Sequence, residues 1–377
     1  MNKLIVVLSL VVFLLGSCSS GKKALQKGDY FSAVSKAVER LKSSPENKKA
    51  LKVLHEGYPL ALEWSQEEID LALSSNVPDK WERVAGLMRQ VNMLSGQIRS
   101  TPAARKVIND PVTYTTELNT VYENAAEERY AAGLAELEIN TRESARIAFD
   151  HFYAADKFVT DYKDVRELMN TAKEMATVKV VLQTIPVLTQ KYRLTSEFFY
   201  NQIYGYLNNQ FGVNSFVNFY SPYQAESESL KNPDFIVNME FFDFSIGNLT
   251  HTEKEENLEK RVRLETKDTT KVEYATYKAK FKTFTDKVES GGSLRVQIYE
   301  PMTDKMLLDE IMPGSFTWMN DYAMFIGDLQ ALDKKQVELT KRKALPLPPE
   351  QDLFIEFTKP VYSQVTNRLN RFFRRYN

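Results

Sequence analysis

The only thiol in the chain is Cys18, at the end of Leu15-Gly16-Ser17-Cys18. Lys3 and an apolar run over 4–15, broken only by Ser9, precede it. A charged start, an apolar core and a small-residue site define a secretory signal that is removed from the mature protein. Three histidines could bind metal or carry protons: His55 beside Glu56, His151 beside Asp150, and His251 in Thr250-His251-Thr252-Glu253. None has the paired spacing of a metal or catalytic motif, so each reads as structural or surface. Ser19-x-x-Lys22 has the spacing of a serine acyltransferase pair but lies directly after the cysteine. No G-x-S-x-G, phosphate-binding loop or G-x-G-x-x-G occurs. Glu127-Glu128 and Glu255-Glu256 are neighbours in sequence and read as solvated charge, not as a pair flanking a glycosidic bond. No catalytic residue, metal ligand or cofactor is expected. Lys278, Lys280 and Lys282 alternate with Tyr277, Ala279 and Phe281, which places three cations on one face of a strand. They suit an anionic partner or a phosphate headgroup; the plainer reading is that they keep an exposed strand soluble.

The segment ending at Cys18 resembles a bacterial lipoprotein signal with its lipobox. That resemblance implies cleavage before Cys18 and acylation of its thiol and new amino group. The apolar run is short of the roughly 20 residues a spanning helix needs, and several acyl chains anchor stably where one is marginal. Spending the single cysteine on lipid excludes cysteine nucleophiles and cysteine-based metal sites from the mature chain. Ser19-Ser20-Gly21-Lys22-Lys23 follows. The family pattern has an aspartate after the cysteine for inner-membrane retention and an acidic cluster for surface display. Neither is present, which implies the periplasmic face of the outer membrane. The net charge of −1 argues against nucleic-acid binding. With 43% hydrophobic and 26% charged residues, the rest of the chain is ordinary globular sequence, long enough for two domains.

The elements that position these residues fall into two halves. Over 22–175 the apolar spacing is helical, with helices expected over 48–64 (broken near Gly57 to Pro59), 65–74, 79–94 and 103–108. Ser65-Gln66-Glu67-Glu68 has the form of a capping box, and Asp110-Pro111 marks a break. Gly28-Asp29-Tyr30, Ala33-Val34, Leu41 and Pro45-Glu46-Asn47 resemble the second half of a tetratricopeptide repeat, with Gly28, Tyr30, Ala33 and Pro45 as its signature. The residues before Gly28 are too few for a full first helix. A second unit is expected from Ala125: Tyr130, Gly133 and Leu134 on one helix, then Ala145, Ala148, Phe149, Phe152 and Ala155 on the next, closed by Tyr162-Lys163-Asp164. A plain helical bundle fits the same pattern. Either form offers a surface for gripping a partner.

Near residue 177 the period changes. A buried strand is expected over 178–187, a helix over 197–211 and a strand over 215–220. Alternating segments then run through 235–246, Val262 and Leu264, 277–282 and Leu294, Val296 and Ile298. Ser290-Gly291-Gly292 reads as a hairpin turn. A terminal helix over 359–376 follows Pro346-Leu347-Pro348-Pro349. Arg368, Arg371, Arg374 and Arg375 surround Phe372-Phe373 there, suiting the helix dipole or a docking contact. Asp268-Thr269-Thr270 resembles a bacterial O-glycosylation acceptor; a hairpin turn is the simpler account. Asn232-Pro233-Asp234-Phe235-Ile236-Val237, Leu294-Arg295-Val296-Gln297-Ile298-Tyr299, Met302-Thr303-Asp304-Lys305-Met306-Leu307-Leu308 and Gly314-Ser315 together are similar to a strand series of envelope lipoproteins. These are the curli secretion channel lipoprotein, the lipoprotein activators of penicillin-binding proteins and the TolB amino-terminal domain. Asn238 and Asp304 stand near two positions where that family has glycine. The resemblance implies a small α/β domain that docks other proteins.

The expected fold class is therefore α + α/β: a helical-repeat (tetratricopeptide-like) domain, then a mixed α/β domain with a largely antiparallel sheet. The expected divisions are a signal peptide over 1–17, a lipid tether over 18–23, the helical domain over 24–176 and the α/β domain over 177–377. The expected function is a non-enzymatic, lipid-anchored scaffold or accessory protein of an envelope machine. Its partners would be envelope proteins and, through Cys18, the membrane; nucleic acid is not among them. One alternative is a subunit of an oligomeric secretion pore, with 240–290 as barrel strands. Another is an enzyme acting on envelope polymers.

Overall fold

A computed structural model describes residues 21–75, 77–186, 193–264 and 272–377. The lipobox with Cys18, Ser19 and Asp268-Thr269-Thr270 lie outside the described residues. The chain divides into two compact units, Met1–Ala176 and Thr177–Asn377.

The first unit is helical: α1 (Lys22–Gln26), α2 (Tyr30–Ser43), α3 (Lys48–Ser74), α4 (Lys80–Ser100), α5 (Pro102–Val107), α6 (Thr116–Ile139), α7 (Arg142–Phe158) and α8 (Val165–Ala176). Chain neighbours pack on one another in order, so the core is a series of three clusters. The first joins Val34, Val38 and Leu41 to Leu54, Tyr58, Leu94 and Ile98. The last sets Phe152 and Ala148 against Ala126 and Val165. Caps define the ends: Asp29 accepts from Ser32 N–H at 3.2 Å and Asn47 from Ala50 N–H at 3.0 Å.

The expected break in 48–74 is absent, and α3 is one helix with Pro59 inside it. An interior proline costs about 3 kcal/mol. Burial of Val53, Leu54 and Tyr58 before it and Ala61, Ile69 and Ala72 beyond it offsets that cost. Ser65 is consequently no cap. It is fully buried in mid-helix, and its hydroxyl has no hydrogen-bond partner among the described residues.

The second unit contains β1 (Val178–Leu182), α9 (Arg193–Gln210), β2 (Val217–Tyr220), α10 (Pro222–Ser227), β3 (Phe235–Leu264), β4 (Glu273–Glu300), β5 (Lys305–Gly327), α11 (Lys334–Thr340) and α12 (Glu350–Phe373). One sheet has the order β2-β1-β3-β4-β5. β1 is parallel to β2 and β3, while β3, β4 and β5 are antiparallel, so the sheet is mixed. Val237, Met239 and Phe241 of β3 and Leu294, Val296 and Ile298 of β4 form one buried face. Phe354, Phe357, Val361 and Leu369 of α12 and Phe199, Ile203 and Leu207 of α9 belong to the same core.

Ser290-Gly291-Gly292 is not a turn but mid-strand β4, with Gly291 opposite Ser315 and Gly292 opposite Gly314. Its glycines serve close approach: a Cβ on Gly292 would lie 2.3 Å from Phe244 Cβ. Phe244 reaches that position because β3 carries two register shifts, between Phe242 and Ser245 and between Ser245 and Asn248. The terminal helix begins at Glu350, directly after the prolines, rather than at residue 359. Pro360 is interior to it. Its packing against the sheet is tight: a Cβ on Gly314 would lie 2.4 Å from the Phe357 carbonyl oxygen. Among the described residues no helix is long and apolar enough to cross a membrane.

Candidate functional site

The three long strands extend well beyond the part of the sheet covered by α9 and α12. The far portion forms a blade with its own small core. Ala279, Phe281 and Ala323 on one face pack with Ala331 and Leu332, with Val337 and Leu339 of α11 at the margin. Period two puts Lys278, Lys280 and Lys282 on the opposite face of β4.

That face is a ladder of paired charge. Lys278 meets Glu259 at 3.3 Å, Lys280 meets Glu255 at 2.6 Å, and Lys282 meets Glu253 at 2.5 Å. Glu259 lies directly opposite Lys278, while Lys280 and Lys282 reach diagonally to Glu255 and Glu253, which lie opposite Lys282 and Phe284. The stripe is thus one rail of a neutralised ladder and not a bare cationic surface. Lys282 donates to Glu253 and holds its carboxyl below the usual carboxylate range; His251 adds to the effect. The ladder continues at His251, whose ring nitrogens face Asp286 Oδ1 at 2.5 Å and Glu253 Oε1 at 3.3 Å. Asp286 chiefly, then Glu253, raises the imidazole above its ordinary value. Phe284 stacks on Tyr322 with ring centroids 4.9 Å apart, and Lys282 lies over Phe284 at 5.1 Å. Toward the tip Arg261 lies over Tyr274 at 4.9 Å. At the edge, Met324 and Ile326 of β5 are exposed.

The strands' edges are each guarded. β3 carries its register shifts near the core and then the charged run through 253–263. β5 has Pro313, whose carbonyl accepts from Gln364 of α12 at 2.8 Å. Farther along, the Asn320 amide donates to the Lys343 carbonyl at 3.3 Å, where the segment before α12 passes. Charge, bulge and cover are the usual means of stopping a strand edge from pairing with a neighbour.

The other flagged residues are dispersed. Gly28 has φ +79 in the turn before α2, a backbone form that glycine alone adopts freely. Ala33 is fully buried, Tyr30 packs at the margin of the same cluster, and Pro45 is exposed in the turn before α3. His55 is exposed on α3. His151 Nδ1 accepts from Arg129 at 3.2 Å, and Arg129 also pairs with Asp79 at 2.8 Å and Glu82 at 2.6 Å. Burial chiefly, then the Arg129 charge, lowers the His151 imidazole. Phe372 and Phe373 are core, Arg375 stacks over Phe372 at 4.0 Å, and Arg368 pairs with Glu310 at 2.7 Å. Among the described residues no group of three or more histidines and carboxylates is disposed to hold a metal. A cleft of about 720 Å³ between α9 and α12 is lined by Phe198, Gly205, Tyr206, Ile355 and Tyr362.

Sequence reading missed Glu253, Glu255 and Glu259 as partners of the lysines. Their spacing of two and four was visible. The pairing register that brings them across was not. No known protein family matches the chain, and no curated protein matches it.

Proposed function

We propose that the chain is a lipid-anchored protein of the outer membrane, facing the periplasm, that acts by binding proteins of an envelope machine. Secretion, outer-membrane assembly and cell-wall synthesis are the candidate settings. The observation that carries this reading is the blade. It is long, packed on its own small core, and faced with charges already fixed in pairs. Such a surface is organised for a polar partner before contact, which favours selective docking. The lipobox ending at Cys18 supports the address. The helical unit offers a second binding surface; the turn at Gly28 and the buried Ala33 support its reading as tetratricopeptide-like.

The pore reading draws on strand length. β3, β4 and β5 have 30, 28 and 23 residues, against the ~9–11 that cross a bilayer. A barrel strand needs one apolar face toward lipid. Here one face of the blade carries the Glu–Lys ladder and the other is covered near its tip, which weighs toward the scaffold. An enzyme acting on envelope polymers would need convergent carboxylates in a cleft.

The test is a photo-crosslinking amino acid placed at Lys280 or Met324 in membranes of the native organism. Discrete adducts with an envelope protein are expected from the blade. An absence of adducts from both positions, with the protein present and folded, counts against the scaffold. A detergent-resistant ring of the chain itself favours the pore.

A further inference from the structure

One corner of the helical unit combines free cations with apolar side chains beside the point where the anchor joins. Lys22, Lys23 and Lys27 on and after α1 are exposed and, among the described residues, carry no ion pair. Leu25 of α1 reaches α3 at Gly57, where a Cβ would lie 3.3 Å from Leu25 Cδ1. α3 is 27 residues long against 14 for α2, so it overruns the start of α2. Leu60 and Trp64, beside the start of α2, and Leu71, on the overrun, fall on one stripe at helical spacing. They are 37%, 37% and 59% exposed. Phe31, at the start of α2, holds Trp64 edge-on at 5.9 Å.

We infer that this corner is a seat on the phospholipid bilayer that carries the anchor. The inference rests on the acylation of Cys18 proposed above. Cys18 is four residues before Lys22, and four residues reach at most ~14 Å. An acylated Cys18 therefore holds α1 within the headgroup layer or just above it. Tryptophan prefers that layer, with its ring in apolar matter and its N–H in water. Lysines beside it meet anionic headgroups. Glu67 lies on the stripe between Trp64 and Leu71 and Glu63 borders it, so the seat is shallow, with the stripe among the headgroups rather than deep in the acyl chains.

The acylated full-length chain is reconstituted into phosphatidylethanolamine vesicles with about one-third phosphatidylglycerol, brominated on their acyl chains. Tryptophan emission is compared between the native chain and Trp64→Phe, which keeps an aromatic partner for Phe31. The expected result is a bromine-quenched component in the native chain that Trp64→Phe lacks. Equal quenching in both, or none in either, overturns the inference. So does shielding of Trp64 in native membranes but not in vesicles, which assigns the stripe to a protein partner. As a second measurement, the unanchored Cys18→Ala chain binds the same vesicles in a salt-sensitive way. Each of Lys22, Lys23 and Lys27 changed to Gln is expected to weaken that binding about five-fold; no change overturns the role of the cations. Acyl labelling separates the two claims. A labelled Cys18 without Trp64 quenching defeats only the seat. An unlabelled Cys18 defeats the anchoring that it rests on.

Discussion

Changing Gly314 to Ala adds one methyl group where β5 meets α12. The added carbon would lie 2.4 Å from the Phe357 carbonyl oxygen and 2.6 Å from Val361 Cγ2. Backbone cannot swing aside as a side chain can, so the helix must retreat by about 1 Å to restore ordinary contact. A gap of that size forfeits a quarter to a half of each affected dispersion contact. α12 commits Phe354, Phe357, Val361, Val365, Leu369, Phe372 and Phe373 to the core, so many contacts are affected. Overpacking of this kind costs about 1–3 kcal/mol. In a unit of this size each kcal/mol lowers Tm by roughly 2–4 °C, giving a drop of about 2–12 °C. Gly205→Ala is the matched control. Gly205 lies within α9 and an added Cβ there meets nothing within 4 Å. Relief of glycine's conformational entropy should stabilise by about 0.5–1 kcal/mol. The assay is calorimetry of the full chain together with hydrogen exchange of the α12 backbone, which assigns the shift to the second unit. A Gly314→Ala chain as stable as the native one, or shifted like Gly205→Ala, would refute the close approach of helix and sheet.

The remaining expectations are as specific. Phe152 is fully buried, and a Cβ on Gly133 would lie 2.6 Å from its ring, so Phe152→Ala should cost about 3–5 kcal/mol, read by denaturant unfolding. Reversing Lys278, Lys280 and Lys282 to Glu should lower Tm more at low salt than at high salt. Adding Glu253→Lys, Glu255→Lys and Glu259→Lys should restore it, and a swap that recovers nothing would show the ladder is not formed. His251 has a folded-state pKa raised above 6.5 by Asp286 and Glu253. Its contribution is therefore full below the unfolded value and is lost as pH rises through the folded one. His251→Gln should lower Tm near about pH 6 and have little effect near about pH 9; equal losses at both would sink this reading.

Local pattern carried the core strands and most helices. Leu294, Val296 and Ile298 alternate because one face is buried, and Phe152 recurs at helical spacing with Ala145 and Ala148 because one side of α7 is buried. Where one residue type serves two purposes, pattern misled. Ser290-Gly291-Gly292 looks like a turn, but in mid-strand β4 Gly292 makes room for Phe244 and Gly291 for the Gly314 carbonyl. Ser65 and Glu68 have capping spacing, yet tertiary burial on both sides carries the helix through them. A real capping box went unread: Asp333 accepts from Gln336 N–H and Gln336 accepts from Asp333 N–H, both at 2.8 Å, opening α11. The ladder was half legible, because the lysine stripe follows from period two while its glutamate rail depends on a register set by long-range pairing.

The mass of the amino terminus decides whether this chain works from a lipid anchor. The protein is purified from membranes of the native organism and its amino-terminal peptide is weighed by mass spectrometry. The expected mature chain begins at Cys18 and bears diacylglyceryl and acyl groups. A chain that begins elsewhere, or at Cys18 without lipid, would contradict the anchor.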